Sequence, residues 1–110
     1  MAVNRFTTVT HVVTTNNDTV YTAPAGYSGI ILMAQIANVG TTTESVTVSH
    51  YDTSAATETE LLKNYDVPIE DAASPLTGKL VISAGDSLKI QASANSTFKL
   101  TLSILESSDG

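Results

Sequence analysis

Residues 97–105 read TFKLTLSIL, with Phe98, Leu100, Leu102 and Ile104 on one side of the alternation and Lys99, Thr101 and Ser103 on the other. Successive side chains of an extended chain point to opposite faces. The stretch therefore predicts a strand with one face in a core and one in water. Immediately upstream, residues 87–92 set Leu88 and Ile90 against Ser87, Lys89 and Gln91, and residues 76–83 set Leu80 and Ile82 against Lys79 and Val81. Ala84-Gly85-Asp86 between them reads as a hairpin connection, and Ala94-Asn95-Ser96 reads as a turn.

Further back the pattern changes character. Residues 28–39 (SGIILMAQIANV) are apolar at both odd positions (Ile31, Met33, Ala37) and even ones (Ile30, Leu32, Ala34, Ile36). A half-solvated strand alternates and this one does not, so both of its faces are expected to be covered, one by the core and one by a second layer or another subunit. Residues 5–13, 19–22 and 45–51 read as three more strands, rich in Thr and Val. Residues 58–66 (ETELLKNYD) fit either a helical face or a strand, and the β context favours strand. The connection from Val67 to Pro75 is long, holds two prolines, and is expected to cross from one sheet to another.

Eight strands at such spacing predict an all-β chain: a single antiparallel β-sandwich domain over residues 1–110, of jelly-roll or Ig-like Greek-key type. Composition agrees, with 17 Thr, 12 Ser, 10 Val and 7 Ile among 110 residues. Residues 1–4 and 106–110 lack a core-forming pattern and are expected to be mobile or to order against a neighbour.

Charge and residue type exclude several functions. The net charge is −6, and the basic residues are Arg5, Lys63, Lys79, Lys89 and Lys99, scattered along the chain. No basic patch exists to neutralise a row of phosphates, so direct nucleic-acid binding is not expected. The absence of cysteine removes disulfides and thiolate chemistry. The longest apolar run, residues 29–37, is far short of the ~20 residues of a membrane helix. No secretory signal is readable after Arg5, so assembly inside a cell, without a membrane, is the expectation.

Chemistry is thin. His11 and His50 sit within strand-like segments with no third ligand at a metal-binding spacing. The acids Glu58, Glu60, Asp66, Glu70 and Asp71 match no calcium loop. Neither an enzyme nor a cofactor is expected. A glycan-binding module would stack sugars on exposed aromatic rings, and Tyr27 and Tyr65 are the candidates for that role.

Two segments carry a resemblance. Tyr21-Thr22-Ala23-Pro24-Ala25-Gly26 followed by the apolar strand, and Asp71-Ala72-Ala73-Ser74-Pro75-Leu76-Thr77-Gly78-Lys79-Leu80 leading to Ala84-Gly85-Asp86-Ser87-Leu88, together resemble small virion structural proteins of tailed bacteriophages, especially those of marine cyanobacteria. The closing Leu102-Ser103-Ile104-Leu105-Glu106 fits the same likeness. The resemblance implies a place in the phage virion and a structural task, most simply capsid decoration or cementing, with a neck, tail or baseplate part as the alternative. Its expected partners are other copies of the chain and the major capsid or other virion proteins. Phe6, Tyr27, Ile31 and Met33 are the residues expected to meet them.

Overall fold

The structure, a computed structural model, describes residues 3–108; the expectations for Met1, Ala2, Asp109 and Gly110 lie outside the described residues. The elements are β1 (Asn4–Val12), β2 (Asp18–Thr22), β3 (Tyr27–Asn38), β4 (Glu44–Asp52), β5 (Thr57–Val67), β6 (Ala72–Ala73), β7 (Leu80–Ile82), β8 (Ser87–Ala92) and β9 (Phe98–Ser108). Residues 58–66 are strand, as the context argued, and lie within β5. β9 is longer than its alternation announced, because Glu106, Ser107 and Ser108 continue the ladder and pair with Arg5, Asn4 and Tyr27.

Two antiparallel sheets form. One has the order β1-β9-β3 with β6 and β7 both pairing β3, and the other has the order β2-β8-β4-β5. The chain pairs first with last and then inward: β1 with β9, β2 with β8, β3 with β6 and β7, β4 with β5. That is one long hairpin folded across itself, with β4–β5 as its tip, so alternate pairs fall in alternate sheets. The Val67–Pro75 connection crosses between sheets as expected, with β6 forming inside it.

Ala84-Gly85-Asp86 is not the hairpin its sequence suggested. β7 pairs β3 in one sheet while β8 pairs β2 and β4 in the other, so this turn passes between the sheets. Gly85 takes φ +86°, and its N–H donates to Ala23 O at 2.9 Å while Ala23 N–H donates to Asp86 O at 3.0 Å. The turn is thus tied to the β2–β3 corner, and a short Gly-Asp link serves either task because a local turn signal does not say which sheet follows.

The core lies between the sheets. Leu100, Leu102 and Ile104 of β9 face Leu88 and Ile90 of β8 and Val48 of β4 within one buried cluster. Among the described residues the one buried side-chain amide, Asn38 at the end of β3, is engaged at both its nitrogen and its oxygen. Its Nδ2 donates to Thr42 O at 3.0 Å and Val67 O at 2.9 Å, and its Oδ1 accepts from Gly40 N–H at 2.9 Å. This side chain ties the end of β3 to the β3–β4 turn and to the end of β5 in the other sheet, beside the backbone bond from Asn38 N–H to Asp71 O at 2.9 Å.

Candidate interaction surface

The doubly apolar strand has a local explanation. Along β9 the partners of β3 run without a gap from Ile104 to Ser103, while β3 passes from Ile31 to Met33, leaving Leu32 as an extra residue. This β-bulge reverses the phase of the strand. Before it the odd residues Gly29 and Ile31 point inward; after it the even residues Ala34, Ile36 and Asn38 do. Odd and even positions are both apolar because each series supplies the core on one side of the bulge. The expected cover on both faces is not met within the chain, since Leu32 and Met33 are exposed.

What the bulge leaves outside is organised. Cross-strand partners share a face, and the register aligns Phe6 with Leu105, Leu105 with Ile30, and Ile30 with Val81. This row of four apolar side chains crosses β1, β9, β3 and β7 on the outer face of the sheet. Phe6 is 77% exposed and Val81 56%, while Leu105 and Ile30 are half-buried. Met33, 39% exposed, stands in the adjacent row beside Ser103 and Thr8.

Of the expected contact residues, Phe6 and Met33 therefore lie on one surface. Ile31 does not: it is 0% exposed and belongs to the core, because it precedes the bulge that turns Met33 outward. Tyr27 sits at the end of the sandwich, half-buried, with the Arg5 guanidinium 4.2 Å above its ring. Ile30, Leu105 and Val81 were missed by the sequence reading. The available signal was an apolar residue in the polar phase of an alternating strand, which Leu105 and Val81 both are.

Beside the row is a polar knot. Glu106 points inward at 6% exposure and binds two partners, Arg5 Nε donating to Oε1 at 2.7 Å and the Tyr21 hydroxyl donating to Oε2 at 2.7 Å. The bond from Tyr21, and then Arg5, hold the Glu106 carboxyl below its ordinary value although burial opposes them. Burial, and then the carboxylate, push the Tyr21 hydroxyl upward. Space for the ring exists because residue 29 is glycine: a Cβ there would lie 2.6 Å from Tyr21 Cε2 and 2.9 Å from Cζ. Gly29→Ala is expected to push the ring off Glu106 and cost about 2 kcal/mol in urea denaturation. An unchanged midpoint would show that the ring is free to move.

The histidines do not converge. His11 Nε2 lies 3.2 Å from Asp18 Oδ2, and His50 Nε2 lies 3.9 Å from Asp86 Oδ2, on different sheets. The Thr14 hydroxyl, at 2.7 Å, and then His11 hold Asp18 below the usual carboxylate range. Among the described residues no three His, Cys, Asp or Glu side chains gather at one point. A shallow depression of about 320 Å³ lies over β1 and β9, lined by Thr10, His11, Val12, Lys99, Leu100 and Thr101. Tyr65, the other glycan candidate, is half-exposed on β5, on the opposite sheet from Tyr27. The two rings form no common platform.

No protein-family model matches the chain, and no curated protein matches it. Its fold is similar to that of solved structures. A chain of the Bacillus endospore appendages, described as a novel family of disulfide-linked pili, superposes with a TM-score of 0.59 at 9% identity, over 97% of this chain and 87% of that one. A chain of the acid-stable capsid of Helicobacter pylori bacteriophage KHP30 superposes with a TM-score of 0.56 at 11% identity, over 100% of this chain and 95% of that one. At these identities the likeness is one of fold.

Proposed function

We propose that the protein is a structural component of a phage virion, a capsid decoration or cement protein that docks through the outer face of the β1-β9-β3-β7 sheet. The observation that carries this reading is the row Phe6, Leu105, Ile30 and Val81, with Met33 beside it. A contiguous apolar patch rimmed by Thr and Ser marks an interaction surface. The strand order is read as a jelly roll, and a chain of similar fold occurs in a phage capsid structure. The pili that the chain also resembles in fold are disulfide-linked; with no cysteine, this chain can form no such link. Its work is adhesion, its partners are virion proteins, and it needs no cofactor.

Val81→Lys tests the surface. It places a charge at the β7 end of the row, at an exposed position where the fold tolerates it. Binding to capsids stripped of the protein is expected to fall at least about tenfold, with the melting temperature unchanged. Electron microscopy of the particle tests the location: copies spread over the whole shell support decoration, whereas a single ring at one vertex overturns it in favour of a neck or tail part.

A further inference from the structure

We infer that β1 is an open sheet edge that takes the β1 of a second copy, in antiparallel register about a twofold axis through Val9. This surface is distinct from the outer-face row, although Phe6 belongs to both, and it stands whether or not the particle is a virion.

Sheet edges present unpaired backbone groups, and proteins blunt them with short strands, charges, bulges or proline. Three of the four edges here are blunted. β2 has five residues and a register shift between Thr19 and Tyr21. β5 carries Glu58, Glu60, Lys63 and Asp66, shifts register twice against β4, and holds Asn64 at φ +48°. β6 and β7 have two and three residues. β1 carries one such device, the charge of Arg5 near its start, which Glu106 of its own sheet engages; otherwise its nine residues pair with β9 in unbroken register, without proline, lysine or a carboxylate.

The backbone is directed for addition. Val13 N–H donates to Phe98 O at 2.9 Å and Val13 O accepts from Ser96 N–H at 3.0 Å, and Val3 O accepts from Ser108 N–H at 2.8 Å. The odd residues therefore face β9. Alternation turns the N–H and C=O groups of Phe6, Thr8, Thr10 and Val12 to the edge. Thr14, next in that series, already turns its carbonyl to Ala92 N–H of the other sheet at 2.9 Å.

Charge selects the occupant. Two copies of a −6 chain repel over most of their surfaces, and the first carboxylate in the sequence is Asp18. β1 is thus the edge on which like charges do not meet. Antiparallel pairing also sets the Arg5 end of each strand, where Arg5 pairs with Glu106 of its own chain, beside the end of the other where Asp18 is held by His11 and Thr14, so each end meets an internally paired group rather than a bare like charge. With Val9 opposite Val9, Thr8 meets Thr10 and Phe6 meets Val12. These pairs are all edge-directed residues, so their backbone groups can bond. On the outer face Phe6, 77% exposed, and Val12, 48% exposed, cover each other. A slip of one residue would oppose edge-directed groups to groups already used by β9.

Sedimentation of the full chain tests the pairing. Wild type is expected at twice 11.5 kDa. Thr10→Pro removes an edge N–H without touching the β9 ladder and is expected at half the wild-type mass, with an unchanged β-sheet circular dichroism spectrum. If that variant is unfolded, the double variant Thr8→Lys/Thr10→Lys decides, since it opposes lysines across the twofold. A wild type that is monomeric at every concentration, a lysine variant that stays dimeric, or growth into filaments overturns the inference. Register is read from disulfides in a chain with no native cysteine. Phe6→Cys mixed with Val12→Cys is expected to cross-link more than either alone, and equal yields overturn it. Val81→Lys, away from β1, is expected to remain dimeric while losing capsid binding. A dimer indifferent to capsids refutes the proposed function alone, and a capsid-binding monomer refutes the pairing alone.

Discussion

Phe98→Ala is expected to remove about 4 kcal/mol of folding stability, a large part of the roughly 5–15 kcal/mol that a domain holds. Phe98 is 0% exposed and stands first among the largest fully buried side chains. It opens β9, the strand that joins β1 to β3, and its carbonyl receives the N–H of Val13 as β1 ends. Truncation leaves a void bounded by both sheets. Strands held on each side by backbone ladders have little freedom to close it, so the cavity adds to the lost transfer energy. Urea denaturation should show a lower midpoint at an unchanged slope. A loss below about 1 kcal/mol would mean that the core refills the site.

Glu106→Ala is expected to cost about 3 kcal/mol at neutral pH, because it orphans the buried Tyr21 hydroxyl and ends the pairing of Arg5 with a carboxylate. Glu106→Gln isolates the charge, since it keeps the shape and an acceptor for Tyr21. The folded carboxyl lies below its ordinary value of 4.5, held there by Tyr21 and then Arg5. Its contribution is fully present above pH 4.5 and is lost as pH falls below that value, through the depressed folded pKa. The stability gap between wild type and Glu106→Gln should therefore be open at pH 7 and close in acid. A gap independent of pH would show that the charge of Glu106 does not contribute.

The strands were legible because their signal is local. Phe98 through Ile104 alternate in the sequence and are buried in the structure at those same positions. The acidic end of β9 was not legible. Glu106 looks like the start of a solvated tail, and only Arg5 and Tyr21, 101 and 85 residues away, make its burial tolerable. The surface was read in part. Phe6 and Met33 stood out as large apolar groups, but Ile31 was placed with them because a bulge leaves no mark in an unbroken apolar run. Val81 and Leu105 passed unnoticed because each is a single residue until β3 and β9 bring them into line.

By itself the sequence determined that this chain is an all-β sandwich, free of cysteine and short of basic charge, since side-chain period and composition are properties of neighbouring residues. Only the tertiary structure decided which apolar residues are core and which are surface, which edge is open, and that four distant side chains form one row. Those depend on register between strands far apart in the chain. A single extra residue, Leu32, is enough to reverse the faces of everything that follows it in its strand.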